Sequence, residues 1–596
     1  MVERLLVTTA IEETWGSNEA VLFLGEWCKR FVRRERWTQM DSEVVPYHWD
    51  DRVKLQEDFL YLKGLYERLL QDLATQLNLI HNVDHGVRYW RILIGPWLGY
   101  FTQILFDRWS SVHQAINRYD ISGTVVLTLN AEDVVPNDML DFIGAFVGDN
   151  WNHSLYSAIL QQFTSVICVP GEVSRNARAV NGKEQAGQLK GVRPVLMDLY
   201  TRGTGLLRRN RESFLLGSGL SAIDELAVCR RLGQLPNRWR SIPGLPSQLD
   251  ENKRKWVLGG RSENEFEIAI RALISQYLPK TYLEGYSQLS DQVAGLPWPK
   301  HPKMIWSSNS YNSDDVFKAW VALKAEAGST VVAGQHGGHY GVGRWSFNED
   351  HEIAISDRYL SWGWSKADAG KVFPVGQFNP KRPLKVVHGR LPGALLVTCT
   401  MPQQSYVLYS SIVASQWLEY FEDQCRFVAR LPKSIQSALT VRFYPHDYGW
   451  SQRERWKEKF SNLRLDEGAI PIDELIGQSR LYISTYNATT YLESFNMDVP
   501  TVIYWNPEQW ELRDSAMPFF ESLKEVGIFH ESPESAADHV SRIWDNVEEW
   551  WHGDKLRRVL ADFKNQYCRT PDNLLDQIEK ALQGAISSKS VTTHHE

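Results

Sequence analysis

The chain has 596 residues, 43% hydrophobic and 23% charged, with a formal net charge of −7. That length exceeds one ordinary hydrophobic core and predicts two large domains, or two plus a helical insertion. The interspersed signs leave no basic stripe of the kind a DNA or RNA partner requires, and six well-separated cysteines with no CxxC pair suggest neither a zinc ribbon nor a disulfide framework, fitting a reducing cytoplasm.

"RLLVTTA" (4–10) reads as a buried strand, polar "IEETWGSN" as the loop after it, and "EAVLFLGEWCKRF" (19–31) as a helix, which is how an α/β domain begins. No signal-peptide core is present at the start and no run reaches the ~20 apolar residues of a membrane span, so a soluble protein is expected. "KRFVRRERW" (29–37) mixes cations with aromatics and suits either peripheral membrane contact or a solvated face. Residues 52–118 carry apolar positions at helical spacing and are read as a helical insertion, with Pro96 breaking its second run. "GTVVLTLN", "SVICVP" and "RPVLMDLY" continue as strands, whereas 203–300 is irregular.

From 303 the pattern sharpens. "KMIWSSNS" is a strand, Ser313 an N-cap, "DDVFKAWVALKAEAG" a helix and "STVVAG" a second strand: one βαβ unit with its carboxyl edge at His336. After the linker-like "VFPVGQFNPKRPLK", the strands "ALLVTCT", "ALTVRFY", "SRLYIST" and "VPTVIYW" alternate with helical patterns, making a second Rossmann-like half. Helices over 534–584 follow, and a frayed tail. The 24 tryptophans suit sugar or base stacking but serve packing equally well.

Three stretches carry chemistry. In "AGQHGGHYGVG" (333–343) the glycines let backbone approach a ligand, with Gln335, Gly337, Gly338 and His339 lining the cleft and His336 placed as a general base. A tight turn, or zinc on His336 and His339 with His351 nearby, explains the same loop. "YNATTYLE" starts a helix whose N-terminus suits phosphate, with Asn487, Thr489 and Thr490 as donors and Glu493 facing ribose hydroxyls; simple capping is the alternative. "VRFYPHDYGW" places Arg442 and His446 to neutralise a phosphate, with Asp447 orienting the imidazole, or makes an ordinary turn. In the N-terminal half Thr9, Glu12 and Trp15 follow the first strand, and Glu12 or Glu13 is an alternative base.

The order of these pieces, a Gln-His-Gly loop, then "VFPVGQFNP", "RFYPHD" and "TYNATTYLE", resembles the GT-B glycosyltransferase superfamily, in the region shared by CDP-glycerol glycerophosphotransferases and capsule-type transferases using CMP-activated acidic sugars. More closely, through "LVTTAIEETWGSNEAVLFLGEWC", "VVPYHWDDR" and "RYWRILIGPWL", the chain resembles transferases of O-antigen and other surface-carbohydrate loci first described from leptospiral sequences.

The resemblance implies an α/β, GT-B-like fold of two Rossmann-like domains facing a cleft. Residues 1–380 would hold the acceptor and 381–535 the nucleotide donor, 536–584 would pack back across both, and 585–596 would fray. It implies metal-independent transfer of a sugar from a nucleotide-activated donor, cytidine favoured, to a glycan or lipid-linked acceptor, with no cofactor. It also matches His336 to a catalytic base, His446 to a donor-phosphate histidine, though Pro445 here precedes it, and Asn487, Thr489 and Thr490 to phosphate-gripping hydroxyl residues. A polyol-phosphate transferase and a non-catalytic sugar- or nucleotide-binding scaffold are the alternatives.

Overall fold

The computed structural model describes residues 2–16, 19–171, 212–366, 370–381 and 391–592. It is α/β throughout, and its described strands form three wholly parallel sheets. The first contains β1 (Arg4–Val7), β2 (Val21–Phe23), β3 (Ser42–Val44), β4 (Ile121–Leu127) and β5 (Cys168–Gly171), in the order β3-β2-β1-β4-β5. The second contains β6 (Phe214–Leu215), β7 (Met304–Ser307), β8 (Thr330–Gly334), β9 (Arg358–Ser361) and β10 (Val372–Pro374), laid side by side in chain order. The third contains β11 (Leu391–Val397), β12 (Leu439–Arg442), β13 (Arg464–Asp466), β14 (Ser479–Ser484), β15 (Thr501–Tyr504) and β16 (Phe529–His530), ordered β13-β12-β11-β14-β15-β16. In this third sheet the winding reverses between β11 and β14. A crevice opens beyond the carboxyl ends of strands at such a reversal.

The residues expected to make one N-terminal Rossmann-like unit therefore make two sheets. Strand-forming runs are visible in sequence, but the sheet each joins is decided by long-range packing that no local pattern encodes. "EAVLFLGEWCKRF" is not a helix. Val21–Phe23 pairs with β1, because a short apolar run ended by Gly25 buries all three residues better as a strand. "RPVLMDLY" lies outside the described residues, and the region read as irregular holds a helix at Glu265–Tyr277.

Helix α1 (Arg52–His81) is capped by Asp51, whose carboxylate accepts from the Val53 and Lys54 N–H groups. Helix α2 (Val87–Arg118) runs through Pro96 without breaking. An interior proline costs about 3 kcal/mol, and the burial of Ile92, Leu93, Ile94, Trp97, Leu98 and Phe101 around it outweighs that cost. Between β7 and β8 runs helix α3 (Asp315–Glu326), capped by Asp314 rather than Ser313.

Twelve of the largest fully buried side chains are tryptophans, so much of the tryptophan excess is core packing and not a stacking surface. No described helix is long and apolar enough to cross a membrane. The cations of 29–37 find acids or carbonyls within the protein: Arg30 meets Asp149 and the Tyr448 carbonyl, Arg33 and Arg36 meet Glu12, and Arg34 meets Glu458. The last helix described, Leu574–Thr592, runs on through much of the tail expected to fray.

Just before that last helix, the chain stitches the second and third sheets together. The Arg569 N–H donates to the Trp362 carbonyl (2.9 Å) and its own carbonyl accepts from the Gln377 N–H (2.8 Å). Asn496 Nδ2 donates to the Cys568 carbonyl (3.1 Å) and to Gln377 Oε1 (2.7 Å).

Candidate functional site

The loop after β8 is fixed by Gln335, which is buried. Its Oε1 accepts from the Trp362 N–H (2.9 Å) and Trp364 Nε1 (2.8 Å), and its Nε2 donates to the carbonyls of Gly337 (2.9 Å) and Tyr340 (3.4 Å). With both ends of the amide used, the next residue is turned outward. His336 keeps 33% of its side chain in solvent, yet stands in a crevice of protein. Desolvation lowers its pKa to about 4, against the opposing pull of the Ser308 and Gly334 carbonyls, so the imidazole is neutral at physiological pH.

Behind His336 stands helix α4 (Phe347–Ile355), capped by Ser346 Oγ on the Glu349 N–H. Tyr340 Oη lies 3.3 Å from His336 Nε2 and donates to Glu352 Oε1 (3.3 Å); the same carboxyl oxygen is 3.6 Å from His336 Nδ1. Burial raises the Glu352 pKa well above the carboxylate range, Glu349 adds to the rise, and Oε2 has no protein partner. Glu349 itself accepts from the Gly341 N–H (2.8 Å) and pairs with Arg513 (2.9 Å), tying α4 to the loop. Burial also lowers the pKa of His339, to about 3, and its ring packs 5.0 Å from that of Tyr409. Sequence reasoning did not single out Tyr340, Glu349 or Glu352. The available signal was the acid pair at i, i+3 in "FNEDHE", one turn inside a capping serine.

The third sheet supplies the facing wall. Helix α5 (Thr489–Asn496) begins after Ala488, which gives it no side-chain cap, so its first N–H groups point outward uncapped. Thr489 Oγ1 accepts from the Gly338 N–H (3.1 Å). A Cβ built on Gly338 would stand 2.5 Å from the Ala488 carbonyl oxygen, so only glycine lets the two backbones meet. Asn487, 1% exposed, accepts from Tyr491 Oη (3.1 Å), while its Nδ2 has no partner; the buried Thr400 hydroxyl, beyond the end of β11, has none either. These two groups flank the winding reversal of the third sheet.

Thr490 Oγ1 accepts from Tyr482 Oη (2.8 Å) and donates to Tyr486 Oη (3.4 Å). Burial raises the Glu493 pKa to about 7, despite the opposing charge of Lys381.

Other expected residues lie elsewhere or are committed. Arg442 is bound to Asp466 and to the Ile470 carbonyl. Asp447 does not orient His446: its carboxylate accepts from the Ser451 (2.7 Å) and Gln452 (2.8 Å) N–H groups at a helix start. His446 is exposed, its ring 6.0 Å from those of Tyr444 and Tyr448.

In the first sheet, Glu12 is held by Arg36 (2.5 Å) and Arg33 (3.2 Å), and Glu13 faces solvent. Trp15 is fully buried against Phe23 rather than lining a cleft, and the buried Thr9 hydroxyl has no partner. None of the four makes a described contact with the His336 loop. Among the described residues no group of three or more His, Cys, Asp or Glu is arranged to hold a metal ion, so His336, His339 and His351 form no such cluster.

A profile described as LIC12162 family transferase matches residues 4–582. The chain belongs to this transferase family. No curated protein sequence matches it. Among solved structures, a mutant of S. aureus TarM in complex with Fondaparinux, alpha-GlcNAc-glycerol and UDP is 10% identical, with 47% of this chain and 55% of that one covered and a TM-score of 0.31. The chain thus spans about half the length of that protein. A variant of the wall teichoic acid polymerase TagF is 10% identical over 67% of this chain and 99% of that one, with a TM-score of 0.30. Acinetobacter baumannii MurG is 10% identical over 63% and 99%, with a TM-score of 0.31. Scores this low carry no assignment of fold or substrate to this transferase.

Proposed function

We propose that this transferase is a GT-B-like glycosyltransferase, moving a sugar from a nucleotide-activated donor to a glycan or lipid-linked acceptor in surface-polysaccharide assembly at the inner face of the membrane. The reading is carried by one contact, Gly338 N–H to Thr489 Oγ1, which sets the loop of a neutral histidine against an uncapped helix N-terminus. The acceptor hydroxyl attacks the anomeric carbon, its proton passes to His336, and the bond from that carbon to the donor phosphate breaks. The α5 N–H groups and Asn487 Nδ2 stabilise the charge left on the phosphate. Tyr340 and Glu352, beside His336 Nε2 and Nδ1, orient the ring. A cytidine nucleotide is favoured by the resemblance alone, and no step draws on a metal or cofactor.

The test is a thermal-shift panel of CMP, CDP, UDP and GDP, followed by turnover with the matching sugar donor. At least one nucleotide should raise Tm by binding the native state. His336→Asn should keep that shift and lose about 10²- to 10⁴-fold in rate, the usual worth of a general base. No shift with any nucleotide would sink the reading, as would a fully active His336→Asn. A product retaining a phosphodiester would make the enzyme a polyol-phosphate transferase.

A further inference from the structure

Helix α4 has a second face. While Glu349 and Glu352 turn toward the His336 loop, Phe347, His351 and Ile353 line a cavity of about 440 Å³, closed by Phe59 and Leu62 of α1 and by Gly99 of α2. That volume lies within the usual range of small-molecule sites. The lining is apolar except for Tyr66, Gln103 and His351 inside and a charged rim. His351 is 7% exposed, and neither ring nitrogen has a protein partner. A neutral imidazole carries one donor and one acceptor, and leaving both unpaired in an apolar wall is costly. Gly95 of α2 lets the ring pack directly on the helix: a Cβ there would stand 2.7 Å from His351 Cε1 and 2.8 Å from Tyr66 Oη.

The rim carries Lys63, Arg91 and Lys371 against Glu67 and Asp350, one positive charge in excess. The acids are already taken, Glu67 by Arg91 (2.5 Å) and Asp350 by Lys63 (2.7 Å). Lys371 has no ion-pair partner among the described residues and is the cation free to meet a ligand.

We propose that this cavity binds an anionic amphiphile: an apolar chain against Phe59, Leu62, Phe347 and Ile353, a hydroxyl or carbonyl oxygen on His351, and a carboxylate or phosphate head at Lys371. It is a second site, on the face of α4 opposite the transfer crevice. The helix that forms its wall also holds the His336 loop, so an occupant would brace that loop from behind.

Calorimetric titration with 3-hydroxydecanoate, decanoate and methyl 3-hydroxydecanoate, all below their micellar concentrations, tests each element separately. The hydroxy acid should bind tightest, with decanoate and the uncharged ester each weaker by about fivefold to tenfold, the worth of roughly one hydrogen bond or one partly exposed charge pair. Decyl phosphate should bind comparably to decanoate, or tighter if the natural head is a phosphate. His351→Leu should abolish the preference for the hydroxyl while retaining decanoate. Lys371→Glu should weaken the acids and spare the ester, and Ala354→Trp, at an exposed position of the mouth, should block all the ligands. Wild-type protein that binds none of them, or Ala354→Trp that binds them unchanged, overturns the proposal. The readout needs no transfer activity, so its failure would leave the assignment of the His336 crevice untouched.

Discussion

Replacing Gly338 with alanine tests whether the His336 loop and the start of α5 work as one unit. The added Cβ would meet the Ala488 carbonyl oxygen at 2.5 Å, the Ala488 carbonyl carbon at 2.7 Å and Thr489 Cα at 2.9 Å, all of them backbone. Ordinary contact requires about 3.4 Å or more, so the two walls must part by roughly 1 Å, and the Thr489 hydrogen bond at 3.1 Å is lost with them. Overpacking of this kind costs about 1–3 kcal/mol of stability. The larger effect falls on rate: misplacing reacting groups by ~1 Å costs about 10²-fold. Gly337→Ala is the matched control, because its Cβ would meet only the His339 ring at 3.0 Å, a side chain able to move. Turnover, nucleotide-induced thermal shift and melting temperature would be measured for both variants. Gly338→Ala should fold, bind nucleotide weakly and turn over about a hundredfold more slowly, with Gly337→Ala near wild type. Wild-type turnover in Gly338→Ala would show that the approach of the two backbones has no part in the reaction.

Two further outcomes follow from buried charge. Burial lowers the His351 pKa to about 3, below the usual ~6.5 of an unfolded histidine. Below pH ~6.5 the unfolded chain therefore takes up a proton that the folded protein refuses, and stability is lost as pH falls toward 3. The difference in Tm between His351→Leu and wild type should move in the variant's favour as pH drops from about 7 to about 5, and a constant difference would contradict the assignment. Arg52 joins the start of α1 to the third sheet through Glu511 (2.8 Å to each carboxyl oxygen), Gln416 (3.0 Å) and two carbonyls. Arg52→Met strands a buried carboxylate and should cost about 3–5 kcal/mol in denaturant unfolding, partly restored by adding Glu511→Gln. Equal stabilities of the single and double variants would refute that coupling.

The βαβ unit from Met304 to Gly334 was legible because each signal was local: two short apolar runs, a capping acid within one position of the serine expected, and a glycine stop. The glycine-rich loop was legible as a place of close backbone approach because such approach needs glycine, and Gly338 does meet Ala488. What failed depended on distant partners. Arg442 looked free at a strand end, but Asp466 on the neighbouring strand takes it. Asp447 sat next to His446 in sequence yet serves the following helix. Pro96 ended a helix by local rule and was overruled by burial on every side. Glu352 could not be tied to His336 from a separation of sixteen positions, because only the turn held by Gln335 folds one onto the other.

The stitch at Arg569 bears on how substrates come and go. Swinging the second and third sheets apart like a clamshell would tear two main-chain hydrogen bonds and the Asn496 amide from their partners. Any relative motion of the two sheets that keeps these bonds must therefore pivot at this edge.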